Sequence, residues 1–264
     1  MTLIRVVSST SKNFFSGQIL FMTAQYFAQS IEDKSPAVRL IRLAPVDQDT
    51  AIDFLPGQYA KLAAGEFDPK PFSIGGLPGT KSLDFYITRG GDGLRNYFTT
   101  DFMIGDRVSV NGPFGTMTVN DDIQGPILAV SGGTGLVPIL PILEQGLKNG
   151  WSGDVVLYHG VRTEAELYDM ERLQALTGMY PNFSFHIRLS DQTDSQTYPS
   201  GLLNAALDGD IDDLGKTSVY MAGPPPMISA VLPVLVSKNL TAVNLYTDKE
   251  NLSPQDLDVL NKVS

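Results

Sequence analysis

The stretch Val130-Ser-Gly-Gly-Thr-Gly-Leu-Val-Pro138 has the residue types and spacing of a backbone trap for an anion. Pro126 to Val130 is an apolar run of strand character. Gly132, Gly133 and Gly135 permit a tight turn with positive φ, and Pro138 suits the first turn of a helix reaching about Lys148. In that arrangement unpaired backbone N–H groups and the positive end of a helix dipole face the turn, and a pyrophosphate fits there. The spacing is not Gly-x-Gly-x-x-Gly, and the same residues would also serve a plain strand-to-helix turn. Two further segments are needed to choose between these readings: Lys70-Pro-Phe-Ser-Ile74 and Tyr220-Met-Ala-Gly-Pro-Pro-Pro-Met227.

Such a turn works only when a strand and a helix hold it. After about residue 125, apolar segments alternate with helical patterns: Ile127 to Val130, Val155 to Tyr158, Phe183 to Leu189, Ser218 to Met221 and Ala242 to Tyr246. This is the rhythm of a parallel doubly wound sheet. Thr163-Glu-Ala-Glu166 matches a capping box and predicts a helix start, with Leu167, Met170, Leu173 and Leu176 on its core face before Gly178. The acidic run from Asp208 to Asp213 reads as a solvated loop.

Ahead of residue 125 the pattern is different. Leu83, Phe85 and Ile87 alternate with Asp84, Tyr86 and Thr88, and Val38 to Leu43, Gly57 to Ala63, Phe72 to Gly75 and Arg107 to Asn111 are further short β-rich runs. A short helix over about Asn96 to Phe102 interrupts them. Many short strands with Gly and Pro turns predict a small antiparallel barrel. The fold class is therefore β + α/β: an N-terminal antiparallel barrel followed by a parallel doubly wound domain. The expected divisions are an extension over 1–17, the barrel over 18–125, the α/β domain over 126–250 and a tail over 251–264.

Composition narrows the chemistry. The 264 residues are 42% hydrophobic and 18% charged, which suits a folded chain of two domains. No cysteine is present, so disulfides, thiolate metal sites, cysteine-held iron–sulfur clusters and a cysteine nucleophile are excluded within this sequence. A net charge of −10 without a basic run makes nucleic acid and anionic membrane surfaces poor partners. The uncharged stretch Phe14 to Ile31 is broken by Ser16, Gly17, Gln18, Gln25, Gln29 and Ser30, too polar to span a bilayer and without the apolar core of an export signal. No membrane insertion and a cytoplasmic location are expected. The two histidines, His159 and His186, fall in or beside predicted strands without metal-ligand spacing, and no Gly-x-Ser-x-Gly elbow occurs.

A barrel, then a nucleotide-type sheet, with these three motifs in this order, resembles the ferredoxin–NADP reductase superfamily. The resemblance covers roughly residues 18 to 248, and is strongest to flavin reductases and the reductase components of bacterial oxygenases. It implies that the barrel binds FAD and the second domain NADH or NADPH. The family's Arg-Pro-aromatic-Ser motif stands here as Lys70-Pro71-Phe72-Ser73, followed by Ile74. The resemblance implies Phe72 beside the flavin, the Ser73 hydroxyl approaching flavin N5, and Lys70 meeting a phosphate without arginine's planar fork. The second flavin segment corresponds to Gly90-Gly-Asp-Gly-Leu-Arg-Asn-Tyr97, where Gly91 and Gly93 shape a turn and Leu94 or Arg95 stands in place of the usual hydroxyl. Gly112-Pro-Phe-Gly115 matches the family's barrel exit, chiefly a structural element.

On the nucleotide side, Gly132, Gly133, Thr134, Gly135, Leu136 and Pro138 match the pyrophosphate and nicotinamide loop. Tyr158-His-Gly-Val-Arg162 resembles the segment beside the adenosine ribose; Arg162 suits a 2′-phosphate but does not by itself decide between NADH and NADPH. Ala222, Gly223, Pro224, Pro225 and Met227 match the motif where many members carry a cysteine near nicotinamide C4, here replaced by Ala222.

The reaction implied is hydride transfer from dihydronicotinamide C4 to flavin N5, which needs no general base because the cofactors carry the chemistry. Electrons would then pass to a separate acceptor, either free flavin or a redox protein. At −10 the chain would repel an acidic ferredoxin unless a local basic face prevailed, and it ends Leu260-Asn-Lys-Val-Ser264 without the aromatic of plant-type members. Two alternatives stand beside this reading. One is a flavin- and nucleotide-binding electron-transfer subunit of a larger complex; the other is a non-catalytic nucleotide-sensing module.

Overall fold

Apolar residues at every second position bury one face of a strand, and this produces the first of two sheets in the computed structural model, which describes residues 22–248 and 252–263. The expected extension over 1–17, and the start of the first strand at 18, lie outside the described residues. The strands are β1 (Met22–Ser35), β2 (Val38–Pro45), β3 (Tyr59–Ala63), β4 (Lys70–Ser73), β5 (Leu83–Thr88) and β6 (Arg107–Phe114). They pair antiparallel in the order β4-β3-β6-β1-β2-β5, forming a half-barrel. Tyr26, Ile41, Leu43, Leu62, Phe85 and Val110 fill it, each at most 1% exposed. Each such side chain contributes about 1.5–3 kcal/mol of hydrophobic stabilisation. Helix α1 (Gly93–Thr100) begins three residues earlier than its apolar pattern predicts, and sends Leu94 and Phe98 into the same core.

The second sheet contains β7 (Ile127–Gly132), β8 (Val155–Val161), β9 (Phe183–Leu189), β10 (Ser218–Ala222) and β11 (Leu245–Tyr246), all parallel, in the order β11-β10-β7-β8-β9. Helices α2 (Leu136–Asn149), α3 (Met170–Met179), α4 (Leu203–Asp210) and α5 (Pro225–Ser237) connect the strands. Strand β7 reads as continuous apolar sequence because it is covered on both sides. Ile127 and Ala129 join the cluster around α2, while Leu128 and Val130 join the one containing α4 and α5 residues.

Four expectations need correction. The capping box at Thr163 does not form: Glu164–Glu166 make a single 3₁₀ turn without a side-chain cap, and α3 starts only after Asp169, whose φ of 53° breaks the run. Leu173 and Leu176 are buried as expected, whereas Leu167 and Met170 are only partly buried, Leu167 against a smaller cluster and Met170 between that cluster and the core around α2. Ala242–Asn244 is a 3₁₀ turn, leaving a strand of two residues. The acidic run is not a free loop, since Asp210 accepts from Tyr158 at 3.0 Å and Asp208 pairs with Lys238 at 3.2 Å. Finally, part of the expected tail is helix α6 (Pro254–Asn261), started by a capping box between Ser253 and Asp256 and tied to α5 by Ser229 Oγ donating to Asp256 Oδ2 at 3.0 Å.

The half-barrel and the parallel sheet meet through apolar and polar contacts. Val38, Leu40 and Tyr86 from the first share a core with α2 and α3 residues of the second. At its edge Asp169, only 2% exposed at its side chain, accepts from Tyr86 Oη at 2.6 Å and Arg172 Nη1 at 2.8 Å, and Lys34 Nζ lies 3.3 Å from its other oxygen. Arg172 also grips Glu144 with two bonds, at 3.0 and 2.7 Å. Burial, then the Asp169 carboxylate, push the Tyr86 hydroxyl well above its ordinary pKa, so it stays a donor.

Candidate functional site

A cleft of ≈ 110 Å³ lies where the two halves meet, lined by Pro71, Phe72, Ser73, Tyr86, Ile87, Arg95, Thr134 and Val137. Its barrel wall is β4, an edge strand, which is why Pro71 is tolerated without an N–H to give. Phe72 is buried and meets Phe98 edge-on, with ring centroids 5.7 Å apart. Ser73 is half-buried at the cleft, whereas Ile74 is fully buried in the barrel core and does not line the cleft.

The turn before α1 has an open geometry. Gly91 and Gly93 have φ of 86° and 56°, and nothing lies within 4 Å of where a Cβ on Gly93 would stand. Asp92 does not cap the helix with its side chain, so first-turn amides are left for an outside acceptor. Of the two residues considered for the missing hydroxyl, Leu94 points into the barrel core and Arg95 lines the cleft. Among the described residues neither Lys70 nor Arg95 forms an ion pair, and both are exposed. Two cations, open amides and an aromatic wall suit a phosphorylated, flat-ringed cofactor such as FAD.

The opposite wall is the glycine-rich turn after β7. The expectation of positive φ at three glycines holds only at Gly133, at 52°; Gly132 and Gly135 have φ of −128° and −61°. These two are small because the backbone is crowded. A Cβ on Gly135 would lie 2.1 Å from the Ala222 carbonyl oxygen, and one on Gly132 would lie 2.5 Å from Met227 Sδ. The turn is therefore seated on the Ala222-Gly223-Pro224 turn that ends β10, with Pro224 at the N-cap and Pro225 opening α5. Leu136 and Pro138 are buried beneath it as support. Strand β7 has β8 on one side and β10 on the other, so these two turns bound the crevice at the point where strand order reverses, the usual ligand position in open α/β sheets.

Beneath the turn, Ser131 Oγ lies 2.8 Å from His159 Nδ1, both fully buried. Burial pushes the His159 pKa down to about 4, so the ring is neutral near pH 7 and supports the strands rather than exchanging protons. His186 stacks on Tyr158 at 4.8 Å, away from the cleft lining. Arg162, at the end of β8, is held by Glu166: Oε2 accepts the Arg162 backbone N–H at 3.0 Å, and Oε1 accepts from Nε at 2.7 Å and Nη2 at 2.6 Å.

Phe72, Ser73, Arg95 and Thr134 are thus brought to one cleft, Ala222 to Met227 lie behind the glycine turn, and Arg162 stands at the far strand. Sequence reasoning missed Tyr86, Ile87 and Val137 as lining, and Glu166 as the partner of Arg162. The strand alternation placed Tyr86 on the face opposite Phe85, but only the inter-half contact shows what that face meets. Among the described residues no helix is long and apolar enough to cross a membrane.

Residues 129–232 match the oxidoreductase NAD-binding domain family. The chain is 30% identical over 220 residues to the ferredoxin–NAD(P)+ reductase component of a naphthalene 1,2-dioxygenase system from Pseudomonas putida, covering 83% of this chain and 66% of that protein. It is also 30% identical over 237 residues to the ferredoxin–NAD(P)+ reductase component of naphthalene 1,2-dioxygenase/salicylate 5-hydroxylase systems from Ralstonia sp, covering 88% and 71%. The chain therefore spans about two thirds of the length of these relatives. Its fold superposes on a cytochrome P450 reductase from Amycolatopsis with TM-score 0.81 at 26% identity, covering 90% of this chain and 72% of that one. A ferredoxin reductase of a carbazole 1,9a-dioxygenase shares the fold, with TM-score 0.76 at 20% identity over 88% and 70% of the two chains.

Proposed function

Because the chain belongs to the ferredoxin–NADP reductase superfamily of NAD(P)H-dependent flavoprotein oxidoreductases, we propose that it takes hydride from NAD(P)H onto FAD and passes electrons to a separate redox protein of an oxygenase system. The observation that carries this reading is that Phe72 and Ser73 from the barrel and Thr134 from the glycine turn line one cleft. FAD, when bound, supplies the N5 atom that accepts hydride and the ring from which electrons leave. The residues do the rest. Lys70 and Arg95, with the amides around Gly91 and Gly93, neutralise phosphate, while Pro71 and Phe72 form a wall. Ser73 offers a hydroxyl to the reacting edge. The turn from Gly132 to Pro138, backed by Ala222, Gly223, Pro224, Pro225 and Met227, seats the nucleotide so that its donor ring faces the same cleft. Closing the two rings between these walls removes water from the hydride path.

In this division of labour residues 18–125 take the flavin and 126–250 the nucleotide. The relatives named as dioxygenase and monooxygenase reductase components support a protein acceptor; free flavin is the narrower alternative. A reduced dinucleotide as donor supports a cytoplasmic setting. The test is the visible spectrum of the FAD-loaded protein before and after anaerobic NADH and NADPH. Bleaching of the flavin band is expected, and a protein that binds flavin but never bleaches would sink the proposal. Ser73→Ala should slow bleaching by about tenfold, one well-placed hydrogen bond, while flavin affinity changes less. Equal losses in rate and affinity would remove Ser73 from the reacting edge.

A further inference from the structure

In open α/β dinucleotide folds, the residues just past the second strand of the nucleotide half read the ribose 2′ position: a carboxylate accepts from a hydroxyl, or an arginine takes a phosphate. This chain has both residue types there, and the structure shows how they are arranged. Resting on the proposed use of a nicotinamide donor, we infer that the nucleotide site is built for NADH, and that Glu166 is the residue that sets the preference.

The guanidinium of Arg162 is 68% exposed, but its Nε and Nη2 edge, one of the faces that grips an oxyanion with two parallel bonds, is already on Glu166. Glu166 is the better anchored of the two. Its side chain is 17% exposed, and its second oxygen is fixed by the Arg162 backbone N–H at 3.0 Å. If Arg162 swings toward a phosphate, the carboxylate stays behind. Glu166 is available for this because the capping box that would have turned it back to Thr163 does not form.

The neighbouring loop adds to the effect. The Asp191 backbone N–H donates to the Arg162 carbonyl at 2.9 Å, and Gln192 Oε1 accepts from the Glu164 backbone N–H at 2.9 Å, so the segment after β9 is pinned against the turn after β8. The one guanidinium there is paired with the Glu166 carboxylate and feels that of Asp191 as well. A 2′-phosphate, carrying between one and two negative charges, enters a pocket already negative on balance. A 2′-hydroxyl instead finds an acceptor. The arginine that in sequence alone suits NADPH is thus neutralised by a residue four positions later.

The experiment titrates the FAD-loaded protein with NAD+ and NADP+ by calorimetry, and follows anaerobic flavin bleaching by NADH and NADPH. The expected preference for the non-phosphorylated nucleotide is about tenfold or more in both affinity and rate, one unfavourable charge contact. Glu166→Gln should raise NADP+ affinity by a similar factor, because the arginine keeps a neutral partner and loses the competing charge. In Arg162→Ala the preference for NAD+ should persist. NADP+ binding as tightly as NAD+ to the unmodified protein, or selective loss of NADPH use in Arg162→Ala, overturns the inference and leaves the proposed reductase standing. Failure of both nucleotides to bind or bleach the flavin overturns both.

Discussion

The two glycine-rich turns that flank the cleft use the same residue for different physical reasons. In the turn before α1 the glycines are conformational: Gly93 has a φ of 56° and empty space where a side chain would go. In the turn after β7 Gly135 has an ordinary helical φ of −61° and is glycine because the Ala222 carbonyl lies where a Cβ would stand. The first turn leaves open space beside its backbone where a ligand could approach. The second is packed in advance, its position fixed by another strand. A hydride donor must be placed accurately, whereas a phosphate needs backbone amides that it can reach.

That contrast is broken most severely at Gly135. Gly135→Ala should destabilise the fold by about 3 kcal/mol, the upper range of overpacking, and nucleotide binding should fall with it. Denaturant melts and calorimetric titration read both; a variant with unchanged stability would mean that the two turns are not seated on each other. The next effect arises beneath the same turn. His159 is held at a pKa of about 4 against an ordinary 6.5. The unfolded chain therefore binds an extra proton between those values, and stability falls as pH drops from about 6.5 to about 4. Over that window the loss is about 3 kcal/mol, and His159→Gln should remove that share of the pH dependence. An unchanged slope in the variant would assign the acid sensitivity to carboxylates elsewhere. The smallest effect is expected at Gly93→Ala. Only backbone strain opposes it, about 1 kcal/mol, so the melting curve should shift slightly while flavin affinity drops. A loss matching Gly135→Ala would erase the distinction between the turns.

Much of this architecture was legible in the chain. Both sheets, and the strands bearing the motifs, follow from period-two alternation before residue 125 and from strand–helix rhythm after it. The motif residues Phe72, Ser73 and Thr134 do reach one cleft. What was not legible depended on contacts between distant segments. The apparent capping box at Thr163 has the right letters, but Glu166 finds Arg162 instead. The small size of Gly132 and Gly135 looks like a demand for unusual φ until β10 is placed behind them. Tyr86 reads as an ordinary strand residue because its partners, Asp169 and Tyr168, are some eighty residues away.

Asp169 sits nearly without solvent; its charge is balanced by Lys34 from one half and Arg172 from the other, and the Tyr86 hydroxyl of the first half donates to it. Neither half alone completes that balance, and stripping a partner from a buried ion costs about 3–5 kcal/mol. The consequence is cooperativity. The halves are bound into a single folding unit that should lose structure in one transition, and either half expressed by itself would carry an exposed seam and an unbalanced charge into every folding attempt.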